Sequence, residues 1–300
     1  MNLERFHLLP AANPMLPETV LGVVPAGEVV ACDFHVAGAE GGEEVPGGYR
    51  LGRLLNIDHH APTPRMARMI SSTNLAIAQV NAAPVDPSAA IVLNHTDCDS
   101  VLSGGIAAGL LAPGRRYGDA AIAADHTGEP DTLADLLQGL QPLRDLHLSF
   151  SSLAALEEGR ALSPVAAERL LRRQADRAQA AQYVRQGRFR TNGCVAWAVL
   201  DERLDAAFLP ALLPDACLIL LAVPMRGDGD RWEAKVRLGL SAPPGMSLHA
   251  LELGGFDPAW GGRWNAGSNR RAGGTLLPVE SYAAALGERV ERFPGTGDPA

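Results

Sequence analysis

Leu54-Leu55-Asn56-Ile57-Asp58-His59-His60 decides how this chain is read. The first four residues form an apolar run of strand length, and the last three put a carboxylate and two imidazoles where it ends. Three other segments repeat the arrangement: Val29-Val30-Ala31-Cys32-Asp33-Phe34-His35, Ile91-Val92-Leu93-Asn94-His95-Thr96-Asp97-Cys98-Asp99 and Ala121-Ile122-Ala123-Ala124-Asp125-His126. Five of the chain's eight histidines fall in these four places, a concentration that chance does not account for.

Working outward, residues 1–150 alternate short β-rich runs with helical patterns. Strands are expected at 19–24, 28–32, 54–57, 90–93 and 120–123, and helices at 64–81, 100–111 and 132–139, with Ser100 and Thr132 as starts. Strand alternating with helix predicts an α/β domain with a largely parallel sheet covered on both faces. Ligands bind such sheets at the carboxyl ends of the strands, which is where all four clusters fall.

Residues 151–191 read as a helical connector, with Ser163-Pro164 as an N-cap followed by proline at the first helical position. Residues 192–293 read as a smaller α/β domain. Its expected strands are 193–200, 216–223 and 232–240, the last two joined by the turn Arg226-Gly227-Asp228-Gly229-Asp230. A glycine-rich stretch, 254–274, and a final helix, 279–292, follow; 294–300 is expected to be a disordered tail.

The 47% hydrophobic and 20% charged content suits a globular protein, and no apolar run is long enough to span a bilayer. The N-terminal residues carry no secretion-signal pattern, so a cytoplasmic location is expected. Cys32, Cys98, Cys194 and Cys217 show no CxxC spacing, and free thiols are expected. The net charge of −8 disfavours non-specific binding of long nucleic acid. Lys235 is the only lysine, so an anionic substrate must be attracted by metal ions and local arginines.

In His95-Thr96-Asp97-Cys98-Asp99, residues 95, 97 and 99 share a face if extended and can fan around a metal at a strand-to-helix turn. One imidazole among carboxylates is a fairly hard donor set that suits Mn²⁺ or Mg²⁺. Adding Asp33, Asp58, His59 and Asp125 gives enough ligands for two ions. Two ions about 3.5–4 Å apart serve hydrolysis at phosphorus.

With these motifs the chain resembles the DHH phosphoesterase superfamily, which includes RecJ-type exonucleases, nanoRNase-like phosphatases and family II pyrophosphatases. His95/Asp97/Asp99 looks like the first motif, Asp33 the second, Asp58-His59-His60 the third and Asp125-His126-Thr127-Gly128 the fourth. Ser71-Ser72-Thr73-Asn74-Leu75 is similar to the start of the helix that follows the third motif. The order here is second, third, first, fourth, a rearrangement of the family's. Residues 192–293 resemble the associated substrate domain through Val195-Ala196-Trp197-Ala198-Val199-Leu200-Asp201, Trp232-Glu233-Ala234-Lys235-Val236-Arg237 and a glycine-rich segment. Where the family has GGGHxxAAG, this chain has Gly261-Gly262-Arg263-Trp264-Asn265-Ala266-Gly267, followed by Ser268-Asn269-Arg270-Arg271-Ala272-Gly273-Gly274.

The resemblance implies a two-domain, manganese-dependent phosphohydrolase, with Mg²⁺ as the alternative ion. His95 and Asp97 would bind one ion and Asp99 and His59 the other, with Asp33 bridging and Asp125 completing the set. His60 would contact the scissile phosphate or protonate the leaving group, and Asp58 would orient an imidazole. His35 and His126 are extra to this set and are read as structural, with a supporting role behind the ligands as the alternative. Arg237, Arg263, Asn269, Arg270, Arg271, Gly273 and Gly274 are the substrate candidates, because glycine-loop amides and arginine forks hold phosphate. Expected substrates are small phosphorylated molecules: short single-stranded oligonucleotides, dinucleotides or nucleotide phosphates. The rival readings are a pyrophosphatase or polyphosphatase, a nucleotide-binding regulator without activity, and an enzyme that reuses the scaffold on a non-phosphorus substrate. A homodimer is left open.

Overall fold

The structure, a computed structural model, describes residues 3–12, 14–60, 69–225 and 230–294. The start of the expected 64–81 helix, most of the 226–230 turn and nearly all of the 294–300 tail lie outside the described residues.

In the first unit, strands β1 (Phe6–Leu8), β2 (Val29–Cys32), β5 (Leu54–Ile57) and β6 (Ala90–Leu93) pair in parallel in the order β1-β6-β2-β5. Antiparallel strands β4 (Gly48–Leu51) and β3 (Glu43–Val45) extend the sheet beyond β5. Every residue of β2, β5 and β6 is buried, as expected for strands covered on both faces. Val30, Cys32, Leu55, Ile57, Ile91 and Leu93 point into one core, shared with helices α2 (Ser72–Ala82), α3 (Cys98–Ala107) and α6 (Leu146–Glu157). Val29, Ala31, Leu54, Ala90 and Val92 point the other way, against Met15, Val20, Phe34 and Val36.

Register then positions the chemistry. Val30 lies opposite Leu55 on one side and Ile91 on the other, so Asp33, Asp58 and His95 leave the sheet together at its carboxyl end. The polar Asn56 inside the apolar run has a task here. Its Oδ1 accepts from Val36 N at 3.0 Å and its Nδ2 donates to Phe34 O at 2.9 Å, which holds the turn that carries Asp33.

Two expected strands are helical. Residues 19–24 overlap α1 (Pro17–Leu21), where Pro17 occupies the first turn and only Val20 is buried. Residues 120–123 end α4 (Arg115–Ile122) and enter a π-helical turn, Ala123–Thr127. Alanine-rich sequence favours helix, and Tyr117, Ala120 and Ala121 are buried at helical spacing. Asp125 therefore comes from a helical turn and not from a strand end. Helix α3 starts at Cys98, two residues before the expected Ser100, with Asp97 as its N-cap. Helix α5 (Thr132–Leu140) starts as expected, capped by Asp131. Helix α6 contributes Phe150 and Leu153 to the first core. Helix α7 (Pro164–Arg185) begins at the predicted proline, and the division between the two compact units falls inside it, after Gln174.

The second unit holds β7 (Arg190–Asn192), β8 (Val195–Val199), the short helix α8 (Leu209–Leu212), β9 (Leu218–Pro224), β10 (Trp232–Leu238), β11 (Gly261–Gly262), β12 (Ala266–Ser268) and helix α9 (Val279–Arg292). The sheet order is β11-β12-β10-β9-β8-β7, parallel only between β8 and β9. Tyr282, Ala283 and Leu286 of α9 cover one face. Buried Asp257 ties helix to loop by accepting from Tyr282 Oη at 2.8 Å and Asn269 Nδ2 at 2.9 Å. The expectation of four free cysteines needs correction. Cys194 and Cys217, at the starts of adjacent parallel strands with Cα atoms 5.3 Å apart, form a disulfide, while Cys32 and Cys98 are free. The two residues lie 23 positions apart, and it is the strand pairing that brings them together.

Replacing Asn56 by leucine leaves Val36 N and Phe34 O buried without their partner. The expected outcome is a loss of about 1–3 kcal/mol in urea denaturation; an unchanged midpoint would show that the side chain does not hold this turn.

Candidate metal centre

Asp33 is the hub. It follows β2 in the left-handed region at φ 65°, rare for a residue with a Cβ, and is 1% exposed. Two hydroxyls fix its carboxylate: Ser72 Oγ donates to Oδ1 at 2.9 Å and Ser100 Oγ to Oδ2 at 2.8 Å. Both serines sit in the first turn of a helix, so the helices that cover the sheet also aim this side chain.

Asp99 is wholly buried at the N-terminus of α2. Ser72 N donates to Oδ2 at 2.7 Å, and Thr73 N and Oγ1 donate to Oδ1 at 2.7 and 2.6 Å. A helix N-terminus presents unpaired amides and partial positive charge, which suits an anion. The Ser71–Asn74 capping box closes that same end of the helix. Asp97 splits its carboxylate: Oδ1 accepts from Ser100 N at 3.0 Å, and Oδ2 lies 3.1 Å from His95 Nε2. The sequence shows these serines and threonines as helix starts; their grip on the aspartates appears only in three dimensions.

The side chains meet in three groups that overlap at Asp33. His95, Asp97 and Asp33 form one, with His95 Nε2 3.0 Å from Asp33 Oδ2. Asp33, His59 and His60 form a second, and His59, Asp99, Asp125 and Asp33 the third. There His59 Nε2 faces Asp125 Oδ2 at 3.5 Å, Asp99 Oδ2 at 3.6 Å and Asp33 Oδ1 at 3.7 Å. Beside them His60 Nδ1 lies 2.7 Å from Asp58 Oδ1 and 3.8 Å from Asp33 Oδ1. Of the two accessory histidines, His35 lies 3.7 Å from Glu40 and His126 packs against Trp264 with ring centroids 5.5 Å apart.

Crowding decides the protonation states. Burial first, and then the charge of Asp33, push the Asp99 carboxyl well above its ordinary value. Burial alone would lower the His59 imidazolium, but the hydrogen bond to Asp125 and the charges of Asp99, Asp33 and Asp125 push it up to about 10. For His95, burial is likewise overcome by Asp97 and Asp33, and its value rises well above normal. Burial opposes ionisation of Asp58, yet the His60 charge and hydrogen bond hold its carboxyl below the usual range. Burial raises both the Cys32 and Cys98 thiols, so neither offers a thiolate at neutral pH.

Asp33, Asp58, Asp97, Asp99 and Asp125 thus share one end of the sheet with His59, His60 and His95. Even with every imidazole protonated, the carboxylates outnumber the positive charges. Metal ions could supply the missing charge, held among the groups that overlap at Asp33. The hard oxygen donors mixed with imidazole fit Mn²⁺ or Mg²⁺.

The substrate candidates in the second unit separate. Arg263 and Arg271 line a groove of about 630 Å³ together with Lys235, Trp260 and Ser268, and no carboxylate lines it. Lys235 and Trp260 were not among the sequence candidates. Alternation along β10 is the signal that marks Lys235, since Ala234 and Val236 on either side of it point into the core. Arg237 shares that strand and is buried. Arg270 turns elsewhere and lies 3.7 Å from Glu233. Asn269 is fully buried, with Oδ1 accepting from Ala234 N at 2.8 Å and Nδ2 donating to Asp257, so its amide holds the loop. Gly273 and Gly274 have φ of 90° and 69°, and a side chain at Gly274 would strike Trp232 O at 2.5 Å; both serve the turn.

No protein-family model matches the chain, and no curated protein matches it. Among solved structures it is similar to a pGpG-specific phosphodiesterase, PggH, from Vibrio cholerae, at 11% identity and TM-score 0.45, covering 93% of this chain and 90% of that one. It is also similar to an exopolyphosphatase-related protein from Bacteroides fragilis, at 13% identity and TM-score 0.39, covering 90% of this chain and 73% of that one. Likenesses this remote leave the chemistry of the chain to its own residues.

A ligating histidine must be neutral, whereas the surrounding carboxylates push the His59 imidazolium up to about 10. Divalent-ion binding is therefore expected to release protons and to weaken as pH falls from about 8 to about 6. Calorimetry in two buffers of different ionisation enthalpy measures this; identical heats would contradict the protonation states.

Proposed function

We propose that this protein is a metal-dependent phosphohydrolase that cleaves phosphoester bonds of small nucleotides or short oligonucleotides. The observation that carries the reading is Asp33, a member of every donor group in the cluster. The motif resemblance points the same way.

In this reading the first unit is catalytic. His95 and Asp97 would hold one cation and His59 and Asp99 the other, with Asp33 and Asp125 contributing carboxylates. Mn²⁺ is the expected ion, with Mg²⁺ as the alternative. When bound, the ions supply the Lewis acidity that makes water nucleophilic at neutral pH and offsets phosphoryl charge. Asp58 accepts the Nδ1 proton of His60, so His60 presents Nε2 as the group that contacts the phosphate or donates a proton to the leaving oxygen. Burial of the carboxylates keeps the donor atoms fixed and dry, which strengthens each electrostatic contact.

The second unit binds the substrate. Lys235, Arg263 and Arg271 answer its phosphate charge, and the indole of Trp260 offers a stacking wall. That wall favours a nucleotide over pyrophosphate or polyphosphate, which has no ring to stack.

The deciding experiment is a screen of the purified protein with Mn²⁺ against dinucleotides, short oligonucleotides, nucleoside bisphosphates and pyrophosphate. Phosphate or nucleotide release is expected from a nucleotide substrate. Asp97→Ala and His59→Ala are expected to lose more than the roughly 10- to 100-fold that removal of an outer partner costs. Full activity in both variants would sink the site, and retained two-ion binding without release from any substrate would favour a regulator.

Lys235→Ala and Arg271→Ala are expected to raise KM by about tenfold each with kcat little changed, as for lost charge-assisted hydrogen bonds. Arg270→Ala, whose guanidinium lies against Glu233, should leave KM where it is. The reverse pattern would place the substrate on the other side of this loop.

A further inference from the structure

We infer that Asn94 is a positioning residue that holds His95 in the tautomer whose Nε2 faces a divalent cation, an inference that rests on the metal-dependent reading above. Asn94 follows β6 and is 3% exposed. Its Nδ2 donates to the carbonyl of Ala12 at 2.6 Å. A carbonyl can only accept, so the amide of Asn94 has one orientation, with Oδ1 towards the neighbouring His95 ring. That oxygen meets His95 Nδ1 in a short hydrogen bond. An amide oxygen also only accepts, so Nδ1 carries a proton and a neutral His95 has its lone pair on Nε2.

Nε2 is the atom that lies 3.0 Å from Asp33 Oδ2 and 3.1 Å from Asp97 Oδ2. Carboxylate oxygens on both sides call for positive charge at this atom, which an imidazolium N–H supplies without a metal and which a cation held by all three donors supplies to the neutral tautomer. The backbone of Asn94 is held as well. Arg144, at φ 52°, donates from Nη1 to Asn94 O at 3.0 Å and from Nη2 to Leu9 O at 2.8 Å. Next along the chain, Thr96 Oγ1 donates to Gln141 O at 3.2 Å. The segment after α5 thereby fixes the residues on both sides of His95. Asn94 acts through His95, as an outer partner of a metal ligand does.

The test uses the full chain with ¹⁵N-labelled histidine, loaded with Mg²⁺ or Zn²⁺ for NMR and with Mn²⁺ for affinity. Wild-type protein is expected to show a slowly exchanging proton on His95 Nδ1. Asn94→Ala is expected to lose that signal and to bind one of two Mn²⁺ ions about 10- to 100-fold more weakly. Asn94→Asp keeps an acceptor and is expected to recover both. A purely structural role would lower thermal stability without changing the tautomer. Where Asn94→Ala does not fold, Asn94→Asp against Asn94→Leu, which share the branch at Cγ, repeats the comparison. Unchanged Mn²⁺ affinity in Asn94→Ala, or a wild-type His95 protonated only on Nε2, overturns the inference. Wild-type protein that binds no divalent cation overturns the metal-dependent reading itself, so the two failures are distinct.

Discussion

Like charge in a dry place governs this structure. Asp33 and Asp99 are buried at the same end of one sheet, with Asp97 and Asp125 beside them. Carboxylates so placed cannot all remain ionised without compensation, because burial and mutual repulsion both favour the protonated form. The chain supplies three imidazoles, the hydroxyls of Ser72, Thr73 and Ser100, and the amides at the N-terminus of α2. Hydroxyls and amides orient a carboxylate and share its charge, but they do not cancel it. The remaining demand for positive charge is what would let the cluster hold metal ions.

The scaffold follows from that demand. Helices α2 and α3 cover the sheet, and their first turns are also where the aspartates are gripped. One set of backbone bonds thus serves packing and site together. The positive φ of Asp33 fits the same logic, since a strained backbone persists where surrounding contacts over-determine it, here two hydroxyl donors and the Asn56 bracket on Val36 and Phe34.

Much of this was legible in the sequence, and the failures have physical reasons. The runs 29–32, 54–57 and 90–93 are strands because fully buried parallel strands are continuously apolar. Residues 120–123 are apolar too, but their alanines pack as a helix, and a short apolar run does not announce its period. The clustered Asp and His residues showed in sequence because each follows an apolar run, and the structure gathers them at one end of the sheet. Their partners did not show, because Ser72 and Ser100 look like any helix start, and Asn56 looks like an interruption of a strand. In the second unit, Arg270-Arg271 reads as one basic pair, yet consecutive residues diverge, one to Glu233 and the other to the groove. The Cys194–Cys217 bridge was hidden because pairing of β8 with β9, and not sequence spacing, makes the two neighbours.

The rearranged motif order finds its explanation in the sheet. Strand order β6-β2-β5 places the ends that carry His95, Asp33 and Asp58-His59-His60 side by side. Parallel register aligns those ends whichever strand the chain makes first. A donor set built on strand ends therefore depends on spatial adjacency and register, not on sequence order. The constraint moves to the connections instead. A chain that makes β2 and β5 before β6 must cross β2 to reach the other side, and it does so between β5 and β6, the segment that contains α2. That crossing delivers the N-terminus of α2 to Asp99, so the rearranged order is tied to the helix end that holds one of the buried carboxylates.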